Sequence, residues 1–146
     1  MKTLPKISLA LGACIAAAAL AWAQQQGSVP LSKLPFSPAK QAGPTVYVSG
    51  QIPRTADGKD VRDSVEEETR QVMDNIARVL QAQGYSMDDV VNVTVYLKDL
   101  NDYAAMNKIY SSYFKKGFPA RATVGAVDIV FGFRVEISCV AYKAAQ

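Results

Sequence analysis

The stretch GFPARATVGA, Gly117 to Ala126, places Arg121 at the mouth of a β-branched run. A guanidinium stays charged at any working pH and presents a planar fork of donors, so it suits a carboxylate or phosphate and is a poor base. Further on, in VEISCVAYK, Glu136 alternates with Val135 and Ile137 and so points to the opposite side of its strand. A carboxylate in partly desolvated surroundings holds its proton to higher pH and can shuttle it through water. An anion clamp and a proton relay are therefore the two chemical elements on offer. Each has a plainer alternative. Arg121 also reads as an edge-strand residue in a surface ion pair, and Glu136 as the partner of Arg134 or Arg121. Ser49 and Gly50, closing an alternating run, and Asn107, within a helical pattern, are weaker candidates, since a turn and a solvated helix position explain them too. Tyr47, Tyr96 and Tyr110 read as core or interface residues.

Composition narrows the chemistry. The 146 residues contain no His, which removes Ser-His-Asp triads, Cys-His pairs, HExxH zinc sites and other His-ligated metals. Any reaction has to use Arg, Glu or Asp, Tyr, Ser or Thr, backbone groups and water. Of the two cysteines, Cys14 lies in an apolar leader, so Cys139 has no intramolecular partner.

That leader, MKTLPKISLALGACIAAAALAWAQQQ, has a positive start at Lys2 and Lys6, an apolar segment from Ile7 to Leu20, and a small-x-small site at Ala21-Trp22-Ala23. We expect residues 1–23 to be a signal peptide, 24–33 a disordered linker and 34–146 one domain. The protein would then be exported, periplasmic or secreted, and free of the membrane after cleavage. An uncleaved anchor is the alternative, against which the run is shorter than the roughly 20 residues a spanning helix needs. Lipidation of Cys14 in LGAC is a second. Loss of Lys2 and Lys6 from 16 basic residues, against 13 acidic ones, leaves a near-neutral mature chain. No Lys/Arg-rich run with interleaved aromatics marks a nucleic-acid surface.

The elements that must position the candidates follow from periodicity. Thr45 to Gly50 alternates as a strand, and Asp57-Gly58 in QIPRTADGKD suggests a hairpin-like excursion after it. Ser64 and Glu67 form a capping box for a helix carrying Val72, Ile76, Val79 and Leu80 at helical spacing, ended by Gly84. Val90 to Asp99 reads as a strand with Val91, Val93, Val95 and Leu97 on its dry face. Asn101 or Asp102 caps a second helix through YAAMNKIYSSYFKK, and strands follow at Arg121–Val127 and Phe133–Tyr142. The order β, β, α, β, α, β, β suits an α+β fold, a small mixed sheet with two helices on one face. Val124, Val127, Val135, Ile137 and Val140 exceed what two helices can cover, so a homo-oligomer should bury the second face. A monomer with a polar outer face is the alternative.

With those residues placed, the chain resembles the RidA/YjgF family of reactive-intermediate imine deaminases, once broadly labelled L-PSP endoribonucleases. The likeness rests on TVYVSGQIP, VVNVTVYLKDLNDYAAMNKIY, FPARATVGA and VEISCVAYK in that order, and spans about Leu34 to Tyr142. It implies a chorismate-mutase-like fold, a homotrimer with clefts between subunits, and no metal or organic cofactor. It also implies that Arg121 holds the carboxylate of a 2-iminoacid and Glu136 positions the attacking water. Ser49, Gly50, Asn107, Phe36 and Thr123 would line the cleft. Many relatives carry Tyr where this chain has Phe36, and some carry Cys where it has Thr123. The resemblance points to deamination of 2-imino or enamine acids to 2-ketoacids and ammonia. A carboxylate-binding or partner-binding module that keeps the Arg clamp without turnover is the competing expectation.

Overall fold

The computed structural model describes residues 35–144. The expected signal peptide, the linker and Leu34 lie outside the described residues.

Strands β1 (Ala39–Ala42) and β2 (Thr45–Gln51) form a hairpin. Its two-residue turn is Gly43-Pro44, with Gly43 at φ 58°, a conformation glycine adopts without a Cβ clash. Helix α1 (Val65–Ala82), β3 (Val90–Leu97), α2 (Tyr103–Ser111), β4 (Ala120–Gly125) and β5 (Val135–Tyr142) follow. The sheet order is β1-β2-β5-β3-β4, and only the β3–β4 pair is parallel. A parallel pair needs a crossover between its strands, and α2 supplies it. The α+β expectation stands.

The strand count expected from sequence also stands, but one strand lies elsewhere. The excursion after β2 is a loop closed by an isolated bridge between Arg54 and Asp60, and the extra strand is β1, ahead of β2. Residues 39–42 are mostly exposed, with only Ala39 packed against the core, so no apolar alternation announces them.

Capping at α1 follows the sequence in part. Ser64 Oγ accepts from Glu67 N at 3.2 Å, which is half of a capping box. At the other end Gly84, at φ 79°, donates to Gln81 O and Tyr85 N donates to Leu80 O, a Schellman closure. Helix α2 stops at Ser111, short of the expected Lys116. The hydroxyls of Ser111 and Ser112 donate back to the Lys108 and Ile109 carbonyls, competing for acceptors that a continuing helix would use.

The core lies between α1 and the sheet. Val72, Met73, Ile76 and Leu80 pack over Val46, Val48, Val93, Val95, Leu97, Val135, Ile137 and Cys139. Val135 and Ile137, two of the five residues counted as exceeding what the helices can cover, are therefore fully covered by the helical layer. The second face carries Tyr47, Val124 and Tyr142 instead, all exposed, with Tyr96 and Val140 half-buried. Val91 was expected inward and is 47% exposed. A bulge between Val90 and Asn92 resets the alternation, so that Val90 takes the inward position.

One buried charge had no signature in the pattern. Glu68 of α1 is 2% exposed, accepts from Arg134 N at 2.8 Å and lies 3.8 Å from Arg134 Nε. Burial holds its carboxyl above the ordinary range. It ties the first turns of α1 to the residue that opens β5.

Candidate functional site

Register decides where the candidate side chains go. Arg121 pairs with Val93 and Thr123 with Val95 across the parallel β3–β4 ladder. Residues in register share a face, and Val93 and Val95 are buried beneath the helices. Arg121 and Thr123 therefore sit on the helix-covered face, at the edge strand. Helix α2 meets Arg121 there. Its guanidinium carbon lies 4.6 Å from the centre of the Tyr110 ring and 5.7 Å from that of Tyr103, and Nη2 donates to Tyr103 Oη at 3.1 Å. Beside it opens a groove of ≈ 660 Å³ whose walls include Asn107, Tyr110, Ser111, Phe118, Pro119 and Arg121. Among the described residues no carboxylate lies within ion-pair distance of Arg121. The surface ion pair that sequence left open is thus absent there, and the fork faces a groove without an acid of its own.

Glu136 goes to the other side. It pairs with Tyr96, out of phase with Val95 and Leu97, on the open face. Burial alone raises its carboxyl pKa, and among the described residues it makes no ion pair. Arg134, its suggested partner, is engaged with Glu68 instead. The carboxylate lies against Gly50, where its Oε1 occupies the space a Cβ would need. Ser49 and Gly50 stand in a bulge of β2, between the Val48–Cys139 and Gln51–Ile137 pairs. The Ser49 hydroxyl donates to Ser37 O at 2.6 Å, and its N–H to Pro38 O at 3.0 Å. These bonds pin the segment that carries Phe36, which is itself 55% exposed.

The candidates thus form two groups. Arg121, Thr123 and Asn107 belong with the helix-covered face; Glu136 meets Gly50 on the open one, with Ser49 next to Gly50, and Phe36 is exposed on the neighbouring segment. Within one chain the sheet itself separates Arg121 from Glu136. Gly50→Ala tests the second group, because its Cβ would displace the Glu136 carboxylate. Any activity that uses Glu136 should fall at least about tenfold, with the Tm within about 3 °C of the parent, as measured by steady-state rates and calorimetry.

Tyr103 is the residue that sequence reading missed around Arg121; Tyr110, read as core or interface, is in the core with its ring against the guanidinium. Tyr103, Asn107 and Tyr110 recur at helical spacing on α2, a signal that Tyr110's apolar surroundings masked. Tyr110 is 4% exposed, and among the described residues its hydroxyl has no partner. An unpaired buried hydroxyl costs about 1–3 kcal/mol, a local expense of the kind that clusters at functional sites.

Residues 27–143 match the family described as Endoribonuclease L-PSP, a span that takes in the five strands and two α-helices of the described residues. The chain belongs to that family, the RidA/YjgF proteins. A RutC family protein of Pyrococcus horikoshii is 44% identical over 110 residues, covering 75% of this chain and 87% of the relative. The 2-iminobutanoate/2-iminopropanoate deaminase of Homo sapiens is 41% identical over 110 residues, covering 75% and 80%. Among solved structures, the yjgF gene product of E. coli superposes with a TM-score of 0.74 at 31% identity, over 80% of this chain and 94% of that one. The RidA/YjgF fold is thus shared over most of the chain, and Arg121 and Glu136 are carried on its sheet.

Proposed function

We propose that this RidA/YjgF protein hydrolyses 2-iminoacids, such as 2-iminopropanoate, to 2-ketoacids and ammonia. The observation that carries the reading is Arg121, a guanidinium braced by Tyr103 and Tyr110 beside an open groove that holds no carboxylate for it. Arg121 binds the substrate carboxylate with its fork. A water, held by the Glu136 carboxyl, adds its oxygen to the imine carbon. One proton of that water passes to nitrogen, giving a carbinolamine; the second passes from the new hydroxyl to the same nitrogen as the C–N bond breaks, and ketoacid and ammonia leave. An imine is already electrophilic, so orientation and proton traffic are the protein's task.

Because Arg121 and Glu136 are on opposite faces of one sheet, the proposed site takes its clamp from one copy and its relay from another. The assembly we propose is a homotrimer that covers the exposed Tyr47, Val124 and Tyr142. Light scattering is expected to return three protomer masses; a monomer at working concentration rejects the shared site. We also propose export, with Gln24 as the first residue of the mature chain, checked by N-terminal sequencing of the exported protein.

The test of function generates iminoacids in situ with an amino-acid oxidase and traps them with semicarbazide. Active protein slows semicarbazone formation and accelerates ammonia release. No change in either rate rejects the deaminase, and pyruvate binding without turnover identifies a carboxylate-binding module instead.

A further inference from the structure

We infer that Tyr103 is the positioning residue that aims the Arg121 fork, an inference resting on the proposed carboxylate clamp. Two contacts of different physical kind hold the guanidinium. The Tyr110 ring, 4.6 Å from its carbon, attracts positive charge toward its face and leaves rotation within the guanidinium plane nearly free. The hydrogen bond from Nη2 to Tyr103 Oη, 3.1 Å long, is directional and removes that freedom. Arg121 has no carboxylate partner among the described residues to do this instead. The Tyr103 oxygen must act as the acceptor, since a guanidinium has only donors. Asn107, one turn along α2, and Arg121 together lower the phenol's pKa, as expected for an oxygen surrounded by donors.

The hydroxyl does little for the fold. Tyr103 is the first residue of α2 and 43% exposed, so its oxygen has water in place of the bond if Arg121 moves. Its contribution lies in preorganisation. With one donor committed to Tyr103 and the plane fixed by Tyr110, the remaining N–H groups are set before the ligand arrives, and less side-chain ordering is left for binding.

Such a residue acts on ground state and transition state alike, which gives it a kinetic signature. Tyr103→Phe, retaining the ring, is expected to raise KM for the iminoacid about five- to tenfold with kcat within about twofold. The Kd for pyruvate, measured by titration calorimetry, should rise by the same factor, with the Tm unchanged. A merely structural role would instead lower the Tm and the active fraction, reducing kcat at constant KM. Because Tyr103 works through Arg121, the double variant Arg121→Ala/Tyr103→Phe should bind pyruvate no more weakly than Arg121→Ala alone. An active parent whose KM and Kd are unmoved by Tyr103→Phe overturns this inference and leaves the deaminase standing. Additive losses in the double variant overturn it as well. A parent that neither turns over iminoacids nor binds pyruvate overturns the clamp beneath it.

Discussion

Arg121→Ala is expected to lower kcat/KM for a 2-iminoacid on the order of 10²–10³-fold, the loss that follows when a close charge pair is broken from one side. The fold should hardly respond. Arg121 lies on the edge strand, bonded through its side chain to Tyr103, and its removal opens no cavity in the core. Arg121→Lys restores the charge and not the fork, so it should recover only part of the loss. Both are read from semicarbazide-trapped rates at several substrate concentrations. A wild-type rate from Arg121→Ala would remove Arg121 from the site. The two-faced arrangement sharpens the experiment. Protomers carrying Arg121→Ala keep Glu136, and protomers carrying Glu136→Gln keep Arg121. Refolded together, they should regain activity in about a quarter of their shared sites, as random assembly of a closed ring allows. Sites contained within one chain would regain none.

Glu136→Gln should lose activity about 10²–10³-fold, within the range that proton-transfer groups supply, and gain stability. The sign follows from burial. Desolvation holds the native carboxyl above the ordinary value of 4.5, whereas the unfolded chain ionises it freely. The native state therefore binds more protons between those two values. Its stability is fully present below the ordinary value and declines as pH rises through the native one. Glutamine carries no such penalty, so the variant's Tm should exceed the parent's near neutral pH. The two should converge in acid below 4.5, where the parent is protonated in both states. Equal Tm values across the whole range would mean that Glu136 is solvated, and its place as a half-buried relay would be lost.

Alternation within a strand was enough to place Glu136 opposite Val135 and Ile137, because that relation depends on three consecutive residues. It could not say which face the helices cover. Val124, Val127, Val135, Ile137 and Val140 were counted together as more than two helices could cover, without being assigned to faces; Val135 and Ile137 are inward, since β5 lies third in the sheet, between β2 and β3, under α1. The face of Arg121 depends on the parallel register with Val93, a long-range relation created by the α2 crossover. Hence both candidate side chains were legible one at a time, while their separation by the sheet was not. Strand β1 escaped for a different reason: a short, exposed edge strand has no dry face to betray it. Tyr103 was hidden because its contribution is a single hydroxyl, aimed at a residue on another element.

Cys139 is the one free cysteine among the described residues, 4% exposed beneath the helical layer, and burial pushes its thiol up to about 12. A thiol so held is almost wholly protonated and unreachable, hence a poor target for oxidants and alkylating reagents. The sulfur accordingly works as an internal clock. Its rate of capture by a maleimide should track the opening of the hydrophobic interior, giving a chemical measure of how often the domain breathes.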